Sequence, residues 1–178
     1  MRVYLARHGQ STANEKKILN SDPKVKVRLT TLGVEQSQEL AEKLKDVAFE
    51  AIYTSEFPRV KETAEIVNKY HSLISKVDPR LNDNRSGFNG RPRQEFLDAL
   101  NSSIDKPNAK FNDGESLEEV KRRTASFMEY LKTQNYNCVL VVTSDIIVMY
   151  FYGILHNLSH EQTWDLVVDN GNYIEVDI

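Results

Sequence analysis

Leu5-Ala6-Arg7-His8-Gly9-Gln10-Ser11 sets a guanidinium, an imidazole and a glycine in succession at the end of the first apolar run. Arginine presents a fork of N–H donors that matches phosphate oxygens. A neutral imidazole can attack phosphorus and form a covalent phosphohistidine, dividing one hard displacement into two easier ones. Gly9 permits a backbone conformation, or a closeness of approach, that any side chain would forbid. Taken alone, these residues fit a polar strand end without chemistry equally well.

The elements around them must place the pair. Arg2 to Ala6 reads as a short strand, with Val3, Tyr4 and Leu5 as β-formers. Thr12 to Arg28 is polar and loop-like. Thr30 or Thr31 caps a helix carrying Leu32, Val34, Leu40, Ala41, Leu44 and Val47. Phe49 to Tyr53 is a second strand, and Pro58 opens a helix to about Tyr70 that turns Val60, Ala64, Ile66 and Val67 inward. Leu73 to Val77 is a third strand.

From Arg80 to Asp113 loop residues dominate, and only Glu95 to Leu100 reads as helical. A polar excursion of this length inside a compact domain marks a functional or disordered segment. Ser116 caps an amphipathic helix from Leu117 to about Thr133, with Glu119 at the reciprocal capping position. Asn137 to Thr143 is the apolar kind of strand that is buried on both faces. Ser144 or Asp145 caps a helix through Leu155. A short helix near His160 to Val167 and a strand from Asn172 to Ile178 close the chain.

Strands alternating with helices imply an α/β domain spanning 1–178, a three-layer sandwich with a mostly parallel central sheet and helices on both faces. Ligands of such sheets sit outside the carboxyl ends of the strands. Arg7-His8, Ser55 and Ser144 all fall at those ends.

Composition narrows the function. The chain has 178 residues, 40% hydrophobic and 28% charged, an ordinary soluble balance. A net charge of −3 argues against nucleic acid as a partner. No apolar run approaches the roughly 20 residues that span a bilayer, and no signal-peptide pattern precedes Arg2, so no membrane partner and a cytoplasmic location are expected. The single Cys138, in an apolar run, reads as a buried structural thiol. His160-Glu161 lacks a second histidine at metal-binding spacing, so no metal or other cofactor is expected. Trp164 reads as a packing residue. Arg85, Arg91 and Arg93 form a basic cluster in the long loop.

The ordered set of motifs resembles the histidine phosphatase superfamily, also called the phosphoglycerate-mutase-like family. The opening Leu5 to Ser11 with Asn14 matches its signature, and Leu29-Thr30, Gly33 and Gln36 match its next block. Ser55, Arg59, Thr63 and Ala64 keep its Ser-x-x-x-Arg-x-x-x-Thr-Ala spacing. Leu81, Asp83, Gly87 and Gly90 resemble its acid-bearing loop, and Gly114-Glu115-Ser116 its later helix entry. The resemblance implies His8 as nucleophile, Arg7 and Arg59 as phosphate clamps and Asp83 as proton donor. Ser11, Asn14 and Ser144 would add phosphate hydrogen bonds, and residues 80–113 would form a substrate cap.

Two positions depart from the family pattern. Asp83 stands where the donor is often Glu, one methylene longer, and a loop-capping Asp is the competing reading. Val141-Val142-Thr143-Ser144-Asp145 stands where a second histidine and a glycine are usual. Ser144 can donate one hydrogen bond, or the pair can simply cap the helix. Two functions stay open on this basis. One is a metal-independent phosphatase acting on a phosphorylated small molecule or phosphoprotein. The other is an impaired member that binds phosphorylated ligands without turnover. The chain is shorter than the family's mutases usually are, which favours net hydrolysis over mutase chemistry.

Overall fold

The computed structural model describes residues 1–178. Five strands form one sheet in the order β3-β2-β4-β1-β5: β1 Arg2–Arg7, β2 Ala51–Thr54, β3 Ser75–Val77, β4 Cys138–Thr143 and β5 Tyr173–Asp177. The first four run parallel, and β5 pairs antiparallel with β1. This is the expected α/β sandwich with a mostly parallel sheet.

Strand periodicity sorts the core into two layers. Val3 and Leu5 of β1 and Val139 and Val141 of β4 face a core shared with α4 (Arg93–Asn101), α5 (Leu117–Lys132) and α6 (Asp145–Leu155). Tyr4, Ala6, Leu140 and Val142 face the other side, against α2 (Thr31–Leu44) and α3 (Pro58–Asn68). Both faces are covered, which is why β4 reads as a continuous apolar run.

Sequence expectations fail at a few places. The stretch expected to be loop-like opens with a short helix, α1 Thr12–Glu15, capped by Ser11. Leu32 and Val34 face solvent, because the buried stripe of α2 is Gly33, Ser37, Leu40, Ala41 and Leu44. Cys138 is only half-buried, as the first residue of β4. The last short helix, α7, spans His160–Trp164. The 80–113 region is folded around an aromatic cluster: Phe111 lies 5.6 Å from Phe88 and 6.0 Å from Phe96. No helix is long and apolar enough to cross a membrane.

Candidate active site

In the pairing of β1 with β4, Arg7 lies opposite Thr143, and the His8 backbone N–H donates to Thr143 O at 3.0 Å. The strand ends therefore bring His8 and Ser144 together. Beyond His8 the chain crosses closely over α2. A Cβ on Gly9 would stand 2.2 Å from the Gly33 carbonyl oxygen, and one on Gly33 1.9 Å from that of Gln10. Gly9 is needed for this approach of two backbones, not for an unusual φ. Thr63 Oγ1 accepts its N–H at 3.1 Å.

His8 is buried at the floor of a cleft. Its Nδ1 lies 2.7 Å from the Gly9 carbonyl oxygen, an acceptor only, so the proton is assigned to Nδ1. Nε2 then carries the lone pair, and Arg59 Nε–H donates to it at 3.0 Å. Burial, reinforced by the Arg59 charge and more weakly by Arg7, holds the ring well below the ordinary histidine pKa despite the Gly9 bond. The imidazole is neutral and oriented.

Arg59 lies buried on the first turn of α3, its guanidinium 4.4 Å from the centre of the Phe57 ring. Besides His8 it reaches Asn20 Oδ1 at 2.6 Å and Asp83 Oδ2 at 2.8 Å. Burial lowers its pKa, and the Asp83 carboxylate opposes that shift. Arg7, at the end of β1, donates through Nη1 to Val168 O at 2.8 Å and pairs through Nη2 with Asp145 Oδ2 at 3.1 Å.

Asp83 faces this group from the acid-bearing loop. Its side chain is 26% exposed, and it lines the cleft. Burial pushes its pKa up, the Arg59 cation opposes this, and the Asp145 charge adds to the rise. The loop is fixed from behind by Arg123 of α5, which donates to the carbonyls of Arg80 and Asn82 at 2.7 Å and of Asp83 at 3.2 Å. Thr143 Oγ1 adds a 2.7 Å bond to Leu81 O.

The remaining expected site residues divide. Asn14 Oδ1 accepts from Ser11 N–H at 2.9 Å and from the Ser11 hydroxyl at 2.8 Å, so both side chains cap α1. Asn14 lines the cleft, and its Nδ2 makes no hydrogen bond within the protein. Ser144 occupies the N-cap position of α6 without capping it. Its hydroxyl is buried and forms no hydrogen bond of good geometry, yet it lies near enough to Asp83 to favour the carboxylate. Asp145 also accepts its neighbour's Ile146 N–H at 2.9 Å. Ser55 is buried and lines no part of the cleft. Of the basic loop cluster only Arg93 lines it, while Arg91 pairs with Glu95.

Asn20, Asp145 as the partner of Arg7, Arg123 and Asn170 escaped the sequence reading. Asn170 donates to His8 O at 2.9 Å. Trp164, expected to be packing alone, lines the same cleft as His8, Arg59 and Asp83.

A sequence profile described as the histidine phosphatase superfamily (branch 1) matches residues 3–178. The adenosylcobalamin/alpha-ribazole phosphatase of Escherichia coli (strain K12) is 29% identical, across 100% of this chain and 90% of its own length. The fructose-2,6-bisphosphatase TIGAR of Bos taurus is 31% identical over 72% of this chain and 50% of its own. The crystal structure of the alpha-ribazole phosphatase from Shigella flexneri superposes with a TM-score of 0.85 at 26% identity, covering 100% of this chain and 91% of that one.

Proposed function

The chain belongs to the histidine phosphatase superfamily, a phosphatase enzyme of its branch 1, and on that premise we propose that it hydrolyses phosphate monoesters through a phosphohistidine on His8. The observation that carries this reading is the fixed ring of His8, with Nδ1 tied to Gly9 and the Nε2 lone pair set against Arg59. In the first step Nε2 attacks phosphorus and the P–O bond to the leaving group breaks. Asp83, its carboxyl kept protonated more readily by burial, gives its proton to the departing oxygen. In the second step the Asp83 carboxylate takes a proton from water, the water oxygen attacks phosphorus, and the P–N bond breaks to release phosphate and neutral His8.

Arg7 and Arg59 neutralise the transferring group's oxygens, the main task in phosphoryl transfer. They supply that charge from the protein itself, and turnover without added metal belongs to the proposal. Asn14 Nδ2 adds a neutral donor from the wall. The substrates named for the relatives above are small phosphorylated molecules, and a small phosphate monoester fits this cleft as well.

The Arg7–Asp145 pair favours the second reading, a member that binds phosphate esters without turnover, because a carboxylate holds one of the clamps. One experiment separates the two. Phosphate release from an aryl phosphate is followed in the presence of a chelator for the native protein, His8→Ala and Ser144→His, with acid-labile phosphate on the protein measured in parallel. Native release that vanishes in His8→Ala, with label lost at the same time, supports the phosphatase. A silent native protein beside an active Ser144→His protein establishes the binding member instead.

A further inference from the structure

The cleft offers far more than a phosphate group occupies. Its volume is about 730 Å³, within the roughly 300–1,000 Å³ of sites that take a whole small molecule. The charged floor fills only part of the lining. Ile146 and Met149 of α6, Leu97 of α4, Trp164 of α7, and Leu166 and Val167 just beyond it present apolar surface to the same space. Val167 is 81% exposed. A single exposed valine would need no explanation, but this one adjoins half-buried Leu166 and Trp164 on one cleft wall.

That wall is rigidly tied to the nucleophile. Arg7 holds Val168 O, Asn170 holds His8 O, and the Gly171 N–H donates to the carbonyls of Arg7 and His8 at 3.1 and 3.2 Å. Helix α7 is pinned from the other side. His160 bonds Tyr150 Oη at 3.1 Å and Glu118 Oε2 at 3.0 Å. Lys16, Lys17 and Arg93 also line the cleft and draw an anion towards it. An anionic head at the floor and an apolar body on the wall are the complement of this surface.

Resting on the phosphatase reading, we propose that the substrate is a phosphate monoester whose leaving group carries an aromatic or similarly broad apolar face, seated on Trp164, Leu166 and Val167. Three-carbon phosphoacids and glycerol phosphates leave this wall bare and forgo its desolvation. Selectivity therefore comes from the body of the leaving group as well as from the phosphate.

Trp164 is the only tryptophan in the chain, so its fluorescence reports on the wall without turnover. Benzylphosphonate and methylphosphonate, neither of them hydrolysable, are titrated by calorimetry and by tryptophan emission. Benzylphosphonate is expected to bind about tenfold or more tighter and to change the emission. In Val167→Ser and Leu166→Ser the affinity ratio of the two ligands is expected to fall by about threefold or more. Equal affinities, no binding of either ligand, or an unchanged ratio in both variants overturns the proposal. Turnover is read separately on 1-naphthyl phosphate and glycerol 3-phosphate. Aryl-selective binding with no His8-dependent phosphate release sinks the phosphatase reading and leaves the apolar site standing. Turnover with no preference for the naphthyl ester sinks the substrate class and leaves the phosphatase.

Discussion

Arg59 donates its Nε–H to the Nε2 of His8 at 3.0 Å, the nitrogen left basic because Nδ1 is held 2.7 Å from the Gly9 carbonyl oxygen. The same guanidinium bonds Asp83 and Asn20, so nucleophile, candidate acid and phosphate clamp share one hub. On the phosphatase reading, an incoming phosphate draws Arg59 onto its oxygens and uncovers the lone pair that attacks it.

A hub of three directed bonds needs the planar fork of arginine, which lysine lacks. Arg59→Lys keeps the charge and is expected to lower kcat/KM by roughly a hundredfold or more. Arg59→Ala also strands Asp83 and Asn20 and is expected to reduce stability by about 1–3 kcal/mol. Steady-state kinetics with urea unfolding separates the two effects. Lysine activity within about threefold of native would remove Arg59 from the transition state.

The pKa directions fix the pH behaviour. His8 is depressed, so its neutral form persists below the ordinary histidine value of about 6.5. Asp83 is raised, so its acid form persists above the ordinary aspartate value of about 3.9. The kcat/KM profile is expected to rise on an acid limb below about pH 6.5 and to fall as Asp83 ionises. Asp83→Asn should abolish that falling limb and lower the rate by roughly 10²–10⁴-fold. In stability, the unfolded chain binds a proton at His8 that the folded chain refuses. Stability contributed by this position is therefore lost as pH falls below about 6.5. Thermal melts of native and His8→Asn proteins over that range are expected to converge as pH drops. Parallel curves would show that the ring titrates normally.

The sheet, α5 and β4 are legible because their signals are local: short runs of β-formers, a Ser116–Glu119 capping box, an unbroken apolar run. The first helix was hidden because four residues carry no period, and its only mark is the pairing of Ser11 with Asn14. Arg7, His8, Arg59 and Asp83 were readable from ordered motifs, and the fold gathers them. Their supports were not. Asn20 meets Arg59 across 39 positions, Arg123 meets Asp83 across 40, and Val168 meets Arg7 across 161. Such pairings belong to the tertiary arrangement and leave no local pattern. Trp164, beside a short helix, reads as packing, and only the placement of α7 brings it to the cleft.

Gly9 tests how tightly the nucleophile's position depends on backbone packing. An alanine Cβ there meets Gly33 O at 2.2 Å and Ser37 Oγ at 2.7 Å, and a carbonyl in a helix cannot step aside as a flexible side chain can. Gly9→Ala is expected to lose about 1–3 kcal/mol in unfolding measurements. Because Gly9 O also holds His8 Nδ1, kcat should fall further than stability alone explains. A stable Gly9→Ala protein with native kcat would show that this contact yields freely.

Asp145 stands where the resemblance has glycine after a second histidine, and its carboxylate lies 3.1 Å from an Arg7 nitrogen. On the phosphatase reading it therefore occupies a donor that phosphate would use and would repel the dianion while doing so. Asp145→Asn keeps the shape and the Ile146 N–H bond but removes the charge. Inorganic phosphate is expected to inhibit the variant roughly tenfold more strongly, a modest yield for one unit charge at a partly exposed site. The same substitution withdraws the charge that adds to the burial-driven rise of Asp83, so the falling limb of the pH profile should move to lower pH. Product inhibition and a pH profile on one variant thus probe two groups through a single charge. Unchanged inhibition beside a shifted limb would place Asp145 next to Asp83 but away from the phosphate. Both unchanged would make the Arg7–Asp145 pair a structural contact with no part in the chemistry.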